Sequence, residues 1–270
     1  MALTGLQRRI CRLLAEERMR SGESYVAGGV ALNELLAGKR KSRDVDVFHD
    51  TEAAVAATWQ RDRETLAAAG LGVAPVRERP AFIEARVRDD TETTLVQWVQ
   101  DSAYRFFPLV EHETLGLTLH PFDLATNKLL ALVGRREVRD WIDVVRCHEV
   151  LQPLGYLAWA ATGKDPGLGP LAIIEEAARS ARYTQGEVET LDFEGPAPNA
   201  AALSLQWHRA IAEAREIVRA LPAAEIGRCV LDRQGDLEKA SPEALPGELK
   251  AERVAFHEGR IRGAFPEIRL

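Results

Sequence analysis

Two acidic residues that follow a glycine pair are the residues of this sequence best suited to chemistry. Asp44 and Asp46 stand in an apolar, strand-like run that ends at Phe48, and Gly28 and Gly29 precede them. Successive side chains of a strand point to opposite faces, so the two aspartates share one face. Two carboxylates placed in this way can share a divalent cation, and Mg²⁺ prefers a few carboxylates together with phosphate oxygens.

The glycine pair supplies the phosphate-binding half of such a site. Gly28 and Gly29 have no Cβ, so their backbone N–H groups can approach a phosphate closely. Residues 31–36 read as a helix, and the N-terminus of a helix favours anions. The pattern therefore predicts a site for Mg²⁺ with a nucleoside triphosphate (NTP). Taken separately, the glycines also fit a plain strand-to-helix turn, and an Asp-x-Asp also fits the end of a surface strand.

The elements that position these residues alternate between helix and strand in the first part of the chain. Thr51 is a typical N-cap, and Gly70 a typical glycine stop, for a helix over 52–69. We predict further helices near 4–20, 30–37, 121–133, 136–151, 170–182, 200–220 and 247–260, and strands near 24–27, 44–48, 73–76, 81–87 and 93–99. The chain is thus predicted to be α+β: a domain over 1–118 with a mixed sheet flanked by helices, then a mostly helical domain over 119–270.

Composition limits the class of protein. With 270 residues, 46% hydrophobic and 28% charged, the chain can bury a real core and is not disordered. The N-terminal residues lack an apolar signal segment and no long apolar run follows, so we expect a cytoplasmic protein without a membrane partner. A net charge of -6 excludes a broadly basic nucleic-acid binder but leaves room for a local basic patch. Cys11, Cys147 and Cys229 are too few and too far apart for a disulfide framework or a zinc site.

Four motifs in a fixed order resemble a known family. They are Gly28-Gly29, residues 42–46 (Ser-Arg-Asp-Val-Asp), residues 123–128 (Asp-Leu-Ala-Thr-Asn-Lys) and residues 139–143 (Arg-Asp-Trp-Ile-Asp). Across about 24–150 the chain resembles the AbiEii/AbiGii toxin-like nucleotidyltransferases of the DNA polymerase beta-like superfamily. The resemblance implies the nucleotidyltransferase fold and a Mg²⁺-dependent enzyme that moves a nucleotidyl group from an NTP to an acceptor hydroxyl, releasing pyrophosphate. Several relatives are toxins of toxin-antitoxin pairs and some modify transfer RNA, so the resemblance also implies a tRNA acceptor and an antitoxin partner.

The resemblance implies a role for each matching residue. Gly28 and Gly29, with Ser42 and Arg43 of the second motif, would hold the NTP. The metal-binding pair would be Asp44 and Asp46. In the last two motifs, Lys128 would neutralise the triphosphate, and Asp143 would act as general base toward the acceptor hydroxyl or as a further acid near the metal.

The chain departs from the superfamily pattern at one position. Many members carry a third carboxylate on a later strand, where this chain has Gln97 within residues 94–100. Asp101 or Asp143 would then take that role, or a single Mg²⁺ suffices. The basic residue of a further family motif falls on Arg86 or Arg88, which share a strand face.

Ordinary structural roles remain open for several of these residues. Residues 39–41 (Lys-Arg-Lys) fit a solvated loop better than a phosphate contact. Lys128 fits a lysine at the rim of a helical core. The pairs Arg136-Asp140 and Arg139-Asp143 fit i, i+4 salt bridges on a helix face, although this order of charges opposes the helix dipole. Asp123 fits the start of a helix, with or without a role in orienting the site.

Two other functions also fit the sequence. The first is the same chemistry on a small molecule or a protein hydroxyl. The second is a catalytically degenerate protein that binds nucleotides without transferring them, which the missing carboxylate on residues 94–100 favours. The sequence does not distinguish these functions from transfer to RNA.

Overall fold

The computed structural model describes residues 3–180 and 182–267, which form two compact units. The first unit contains the chain up to Ala103 together with Pro108–His120, and the second contains Tyr104–Phe107 and the chain from Pro121 onward. Residue 181, which the predicted helix over 170–182 includes, lies outside the described residues.

A seven-stranded mixed sheet is the centre of the first unit. Its strands are β1 (Tyr25–Ala27), β2 (Asp44–His49), β3 (Gly72–Arg79), β4 (Phe82–Arg88), β5 (Thr93–Gln100), β7 (Val110–His112) and β8 (Gly116–Thr118). The order across the sheet is β3-β4-β5-β2-β1-β8-β7. The pairs β2-β5 and β1-β8 are parallel and the other pairs are antiparallel. The predicted mixed sheet is confirmed, but the two short strands β7 and β8 were not predicted.

Three helices flank this sheet: α1 (Gly5–Ser21), α2 (Gly28–Leu35) and α3 (Glu52–Ala68). Thr4 caps α1 in a capping box with Gln7, and the Thr51 hydroxyl accepts a hydrogen bond from the Ala54 N–H at the start of α3. The predicted N-cap at Thr51 is therefore confirmed. Along α1 and α3, buried residues recur with the period of a helix. These buried residues form the face that each helix turns toward the core.

Helix α3 covers one face of the sheet. The rings of Trp59 on α3 and Trp98 on β5 lie 4.7 Å apart, and the indole N–H of Trp98 donates to Asp62 Oδ2 at 2.8 Å. Val47 pairs with Trp98 in register, so it points to the same face. Because side chains alternate along β2, Asp44 and Asp46 point to the opposite face, away from α3.

Asp62 gives this buried layer a pH-dependent stability. Burial raises the pKa of Asp62 to about 6, against the opposing effects of the Trp98 hydrogen bond and the Arg18 charge. A raised pKa in the folded state means that stability falls as pH rises from about 4 to 6. We therefore expect the free energy of unfolding of Asp62→Asn, measured relative to wild type by urea denaturation, to increase by about 2 kcal/mol from pH 4 to pH 7. A difference that stays constant with pH would contradict this explanation.

The second unit is mostly helical, as predicted. Its helices are α4 (Pro121–Arg135), α5 (Val138–Val150), α6 (Leu154–Ala161), α7 (Pro170–Ala178), α8 (Gln185–Glu189), α9 (Ala200–Ala220) and α10 (Leu245–Lys250), with a short 3₁₀ helix at Ala223–Glu225. Two small antiparallel sheets accompany them: β9 (Cys229–Asp232) with β10 (Val254–His257), and β6 (Tyr104–Arg105) with β11 (Arg260–Ile261). The predicted helix over 247–260 is wrong, because α10 ends at Lys250 and residues 254–257 form a strand. Within the described part of the chain, no helix combines the length and apolarity needed to cross a membrane.

Asp123 has a structural role in the second unit. Its carboxylate is fully buried and accepts hydrogen bonds from the backbone N–H groups of Phe106 and Phe107, at 2.9 and 3.0 Å. The Lys164 ammonium lies 2.8 Å from the same carboxylate and donates to Asn127 Oδ1 at 2.7 Å. A buried carboxylate with this many donors holds its segment firmly in place. Asp123 therefore does more than begin α4, which was the role expected from the sequence. Its cation, Lys164, lies in the turn after Gly163 and was not predicted.

Candidate functional site

Gly28 and Asp46, two residues of the predicted site, lie next to each other. Gly28 begins α2 directly after β1 and has φ +66°, a conformation that favours glycine. A Cβ at this position would lie 1.9 Å from Asp46 Oδ2. The Asp46 carboxylate thus rests against the backbone at the N-terminus of α2. Any side chain at residue 28 would displace this carboxylate.

The second glycine lies beside a cation and a hydroxyl. A Cβ at Gly29 would lie 2.7 Å from Arg40 Nη2 and 3.0 Å from Ser42 Oγ. The Arg40 side chain is 4% exposed, and Ser42 is also buried. A guanidinium and a hydroxyl next to helix N–H groups form an environment that suits a phosphate. The interpretation of residues 39–41 as a solvated loop is therefore wrong for Arg40, while Lys39 is exposed.

Arg40 provides a direct test of this phosphate environment. We expect Arg40→Gln to weaken the binding of a non-cleavable NTP analogue by about 10- to 100-fold, because hydrogen bonds to charged groups contribute about 1.5–3 kcal/mol. Lys39→Gln removes one positive charge from the same loop and should leave the affinity within about twofold. Isothermal titration calorimetry on folded samples would measure both affinities. Equal affinities for the two variants would contradict a phosphate contact by Arg40.

Ser42 also fixes the first aspartate. Its hydroxyl donates to Asp44 Oδ1 at 3.1 Å, and its backbone carbonyl accepts from Gln7 Nε2 of α1 at 2.9 Å. The predicted residues Gly28, Gly29, Ser42, Asp44 and Asp46 are thus brought together in the first unit. Arg43 lies between two of them with an exposed side chain, and its part in NTP binding stays a prediction.

A neutral amide occupies the position of the expected third carboxylate. Gln97 on β5 pairs with Asp46 on one side and with Glu84 of β4 on the other, so all three side chains share a face. Gln97 Nε2 donates to Glu84 Oε2 at 2.9 Å. A carboxylate at neutral pH can only accept, so the amide nitrogen faces Glu84 and the amide oxygen is turned away from it. This row places a neutral amide, rather than a third charge, beside Asp46.

Asp101 does not supply the missing charge within the first unit. It follows the end of β5, four residues beyond Gln97, which corresponds to about 13 Å along the strand direction. Its carboxylate accepts a hydrogen bond from the Ser102 N–H and is exposed. The expectation that Asp101 replaces the third carboxylate is therefore wrong.

The donor set of Asp44 and Asp46 fits Mg²⁺. Both donors are carboxylate oxygens, which hard cations prefer, and the Asp46 carboxylate lies against the N-terminus of α2. Among residues 3–180 and 182–267, no group of three or more His, Cys, Asp or Glu side chains is arranged to hold a metal. Two carboxylates leave most of an octahedral coordination shell to phosphate oxygens and water, which is the usual arrangement for Mg²⁺ with a nucleotide.

The other two predicted residues form a buried ion cluster in the second unit. Lys128 on α4 is 7% exposed, and its ammonium lies 3.2 Å from Asp140 Oδ1 and 3.3 Å from Asp143 Oδ2, both on α5. Arg135 also contacts Asp140, through Nε at 2.6 Å and Nη2 at 2.9 Å. Burial alone would raise the pKa of Asp140, but hydrogen bonds from Arg135 and the Lys128 charge lower it. Lys128 is thus an interior ion-pair residue and not a rim lysine.

This cluster also corrects the predicted salt bridges on α5. Asp140 and Asp143 point into the second unit toward Lys128 and do not pair with residues four positions earlier. Arg136 instead contacts Glu176, and Arg139 contacts Glu137. The two acids share the inner face of α5 with Trp141, Val144 and Cys147, which are buried. The two acids are thus buried beside an ammonium that compensates their charge.

Comparison with known proteins shows the fold. Neither the protein-family models nor the curated proteins match this chain. Among solved structures, the chain is similar to MenT4, a nucleotidyltransferase toxin from Mycobacterium tuberculosis H37Rv, with a TM-score of 0.55 and 17% identity over 81% of this chain and 83% of that one. It is also similar to JHP933 from Helicobacter pylori, with a TM-score of 0.52 and 13% identity over 78% of this chain and 91% of that one.

These similarities confirm the predicted fold class, a nucleotidyltransferase fold with a mixed sheet flanked by helices. At such identities they establish the fold alone. The narrower AbiEii/AbiGii family is not confirmed, because no family model matches.

Proposed function

We propose that this protein is a Mg²⁺-dependent nucleotidyltransferase that moves a nucleotidyl group from an NTP to an acceptor hydroxyl. One observation carries the proposal: the Asp46 carboxylate lies against the Gly28 backbone, at the N-terminus of α2, on the same sheet face as Asp44. Two acids beside the N-terminus of a helix are a suitable arrangement for a divalent cation together with phosphate, which supports the proposal. Fold similarity to a nucleotidyltransferase toxin supports the same reaction class.

The residues of the first unit would bind and orient the triphosphate. Backbone N–H groups at Gly28 and Gly29 and the Arg40 guanidinium would be the phosphate donors, while the Ser42 hydroxyl orients Asp44. Mg²⁺, when held by Asp44 and Asp46, would neutralise phosphate charge. These contacts would position the α-phosphorus for an attacking oxygen, and positioning is the main contribution a protein makes to this kind of transfer.

In the reaction, the acceptor oxygen forms a bond to the α-phosphorus as the bond to the bridging oxygen of pyrophosphate breaks. The acceptor proton passes to a base. The resemblance assigns this role to Asp143 and the neutralisation of phosphate charge to Lys128; these two side chains are buried and lie 3.3 Å apart as an ion pair in the second unit, and their catalytic roles stay predictions. Pyrophosphate is the leaving product.

We further propose that the acceptor is RNA, with tRNA as the first candidate, and that the protein is a toxin neutralised by an antitoxin. MenT4 is a nucleotidyltransferase toxin, and this chain has a similar fold. Incubation with each α-labelled NTP and total RNA, with and without Mg²⁺, tests the acceptor class. Labelled RNA supports the proposal. Label found only in a protein or a small molecule such as an aminoglycoside would identify that molecule, and not RNA, as the acceptor. Toxicity is tested separately, by growth arrest when expression of the protein is induced in cells.

A second function is favoured by one observation, the neutral Gln97 next to Asp46. With one carboxylate fewer, the chain would bind an NTP without transferring its nucleotidyl group. Tight NTP binding without pyrophosphate release, in the presence of every acceptor class, would support this degenerate nucleotide-binding protein over the enzyme.

A further inference from the structure

Four arginines line one exposed face of the β3-β4 hairpin in the first unit. They are Arg77 and Arg79 on β3, and Arg86 and Arg88 on β4, and all four side chains are exposed. The pairing register puts them on one face: Arg86 is opposite Ala74, and the partners of Arg77 and Arg79 are Glu84 and Phe82. The other face of β4 carries buried Ile83, Ala85 and Val87. We call these four side chains the arginine face.

A β-bulge brings the β3 arginines onto this face. The register of β3 shifts between Pro75 and Arg77, so Val76 is the extra residue. Without the extra residue, strict alternation from Ala74 would turn Val76 and Glu78 to this face and would turn both β3 arginines to the other one. Bulges commonly re-aim side chains near functional sites. The hairpin therefore has a backbone feature whose effect is to collect four like charges on one side.

The charges of the arginine face are not compensated by carboxylates. Within the described parts of the chain, none of the four guanidinium groups has an ion-pair partner, whereas Arg8, Arg135, Arg136 and Arg215 each contact an acid. Glu84, the acid in the middle of the face, is hydrogen-bonded to Gln97. Like charges gathered on one surface repel each other unless an anion binds there.

The arginine face is continuous with the aspartate pair. Arg77, Glu84, Gln97 and Asp46 form one row across the strands β3, β4, β5 and β2, and Arg86, Leu95 and Asp44 form the next row. With strands about 4.8 Å apart, the backbone of Arg86 lies about 10 Å from that of Asp44, on the same face of the sheet. Along the strand direction the four arginines fall on four successive levels about 7 Å apart, one arginine to each level.

We propose that the arginine face binds the sugar-phosphate backbone of a nucleic-acid strand. A series of four regularly spaced cations matches a chain with a regularly repeated negative charge better than it matches a folded acidic protein. Phe82, half-buried on the same face, has the Arg77 guanidinium 5.7 Å from its ring centroid and offers an aromatic surface to a base. That the bound strand is the acceptor whose terminal hydroxyl reaches the aspartates rests on the proposed function; the binding itself does not.

Protection of an edge strand is the competing explanation. Charged residues, Pro75 and a bulge on β3 are all features that discourage edge-to-edge aggregation. They do not explain Arg86 and Arg88, because β4 is an interior strand with β3 and β5 on its two sides. They also do not explain why all four arginines are on a single face.

The test is a binding measurement without NTP or metal. Fluorescence anisotropy would follow a short fluorescein-labelled single-stranded RNA, and DNA of the same sequence, as the protein is added at salt concentrations between about 50 and 200 mM. We expect Arg86→Gln/Arg88→Gln, and separately Arg77→Gln/Arg79→Gln, to weaken RNA binding about 10- to 30-fold near 100 mM salt and to reduce the salt slope by about 1.4, since each phosphate contact contributes about 0.7. The control, Arg12→Gln/Arg20→Gln, removes the same charge from exposed positions of α1.

The outcomes separate this proposal from the proposed function. A loss in both face variants and none in the control supports the arginine face, and binding of RNA over DNA would identify the strand as RNA. Unchanged affinity and salt slope in both face variants, with melting temperatures equal to wild type, would overturn it. Asp46→Ala should bind RNA like wild type, so failure of nucleotidyl transfer can be recognised independently of failure of RNA binding.

Discussion

Replacing Asp46 by asparagine is expected to reduce nucleotidyl transfer at least about a thousandfold, because loss of a metal ligand forfeits several kcal/mol of charge stabilisation and each 1.36 kcal/mol is a factor of ten. Asparagine has nearly the same shape, so it keeps the contact with the Gly28 backbone while removing the charge. The rate of release of labelled pyrophosphate in the presence of NTP, Mg²⁺ and RNA is the measurement.

The control for this variant is Glu84→Gln, which removes a charge from the same sheet row two strands away. It should change the rate by less than about tenfold, because Glu84 only orients Gln97. A transfer rate for Asp46→Asn within tenfold of wild type, on folded protein, is incompatible with the assignment of this aspartate as a metal ligand.

Replacing Lys128 by methionine is expected to lower the free energy of unfolding by about 3–5 kcal/mol, because it leaves buried carboxylates without their ammonium. Asp140 keeps its contact with Arg135, and both acids lose the ammonium that lies 3.2–3.3 Å from them. The double variant Lys128→Met/Asp143→Leu should recover most of this loss, since hydrophobic replacement of a whole buried pair is often neutral. Urea denaturation measures the stabilities.

Activity distinguishes the two roles of Lys128. If the ammonium also serves the triphosphate, transfer per folded molecule is lost in both the single and the double variant. The matched control is Lys164→Met, which removes another buried, ion-paired lysine of the same unit. This variant should lose stability but keep transfer per folded molecule. A stable, active double variant would show that Lys128 and Asp143 form only a structural ion pair.

Sequence periodicity predicted the elements that have one apolar face and clear ends. Helix α3 is an example, because Thr51 caps it and Gly70 follows it in the left-handed conformation. Helix α6 was missed because it is buried on every side and so has no amphipathic period. The predicted helix over 247–260 failed because α10 ends at Lys250, before a short strand that pairs with residues far away along the chain. Pairing with distant residues has no local signal.

The parts of the site that depend on the alternation of side chains along a strand, and on the missing side chain of glycine, could be predicted from the sequence. Asp44, Asp46, Gly28 and Gly29 follow from the properties of strands and glycine, and the structure brings all four together. Arg40 could not be recognised, because a run of three basic residues gives no indication of which one is buried. The alternation rule could also not predict the arginine face, since one bulged residue at Val76 reverses the direction of every later side chain on β3.

The most direct test of the reaction compares NTPs labelled at the α- and γ-phosphates, with wild-type protein, total RNA and Mg²⁺. We predict that the α-label appears in RNA, that the γ-label appears only in pyrophosphate, and that Asp46→Asn abolishes both signals. Transfer of the γ-label to the acceptor, or α-label transfer that persists in Asp46→Asn, would contradict nucleotidyl transfer at the aspartate pair.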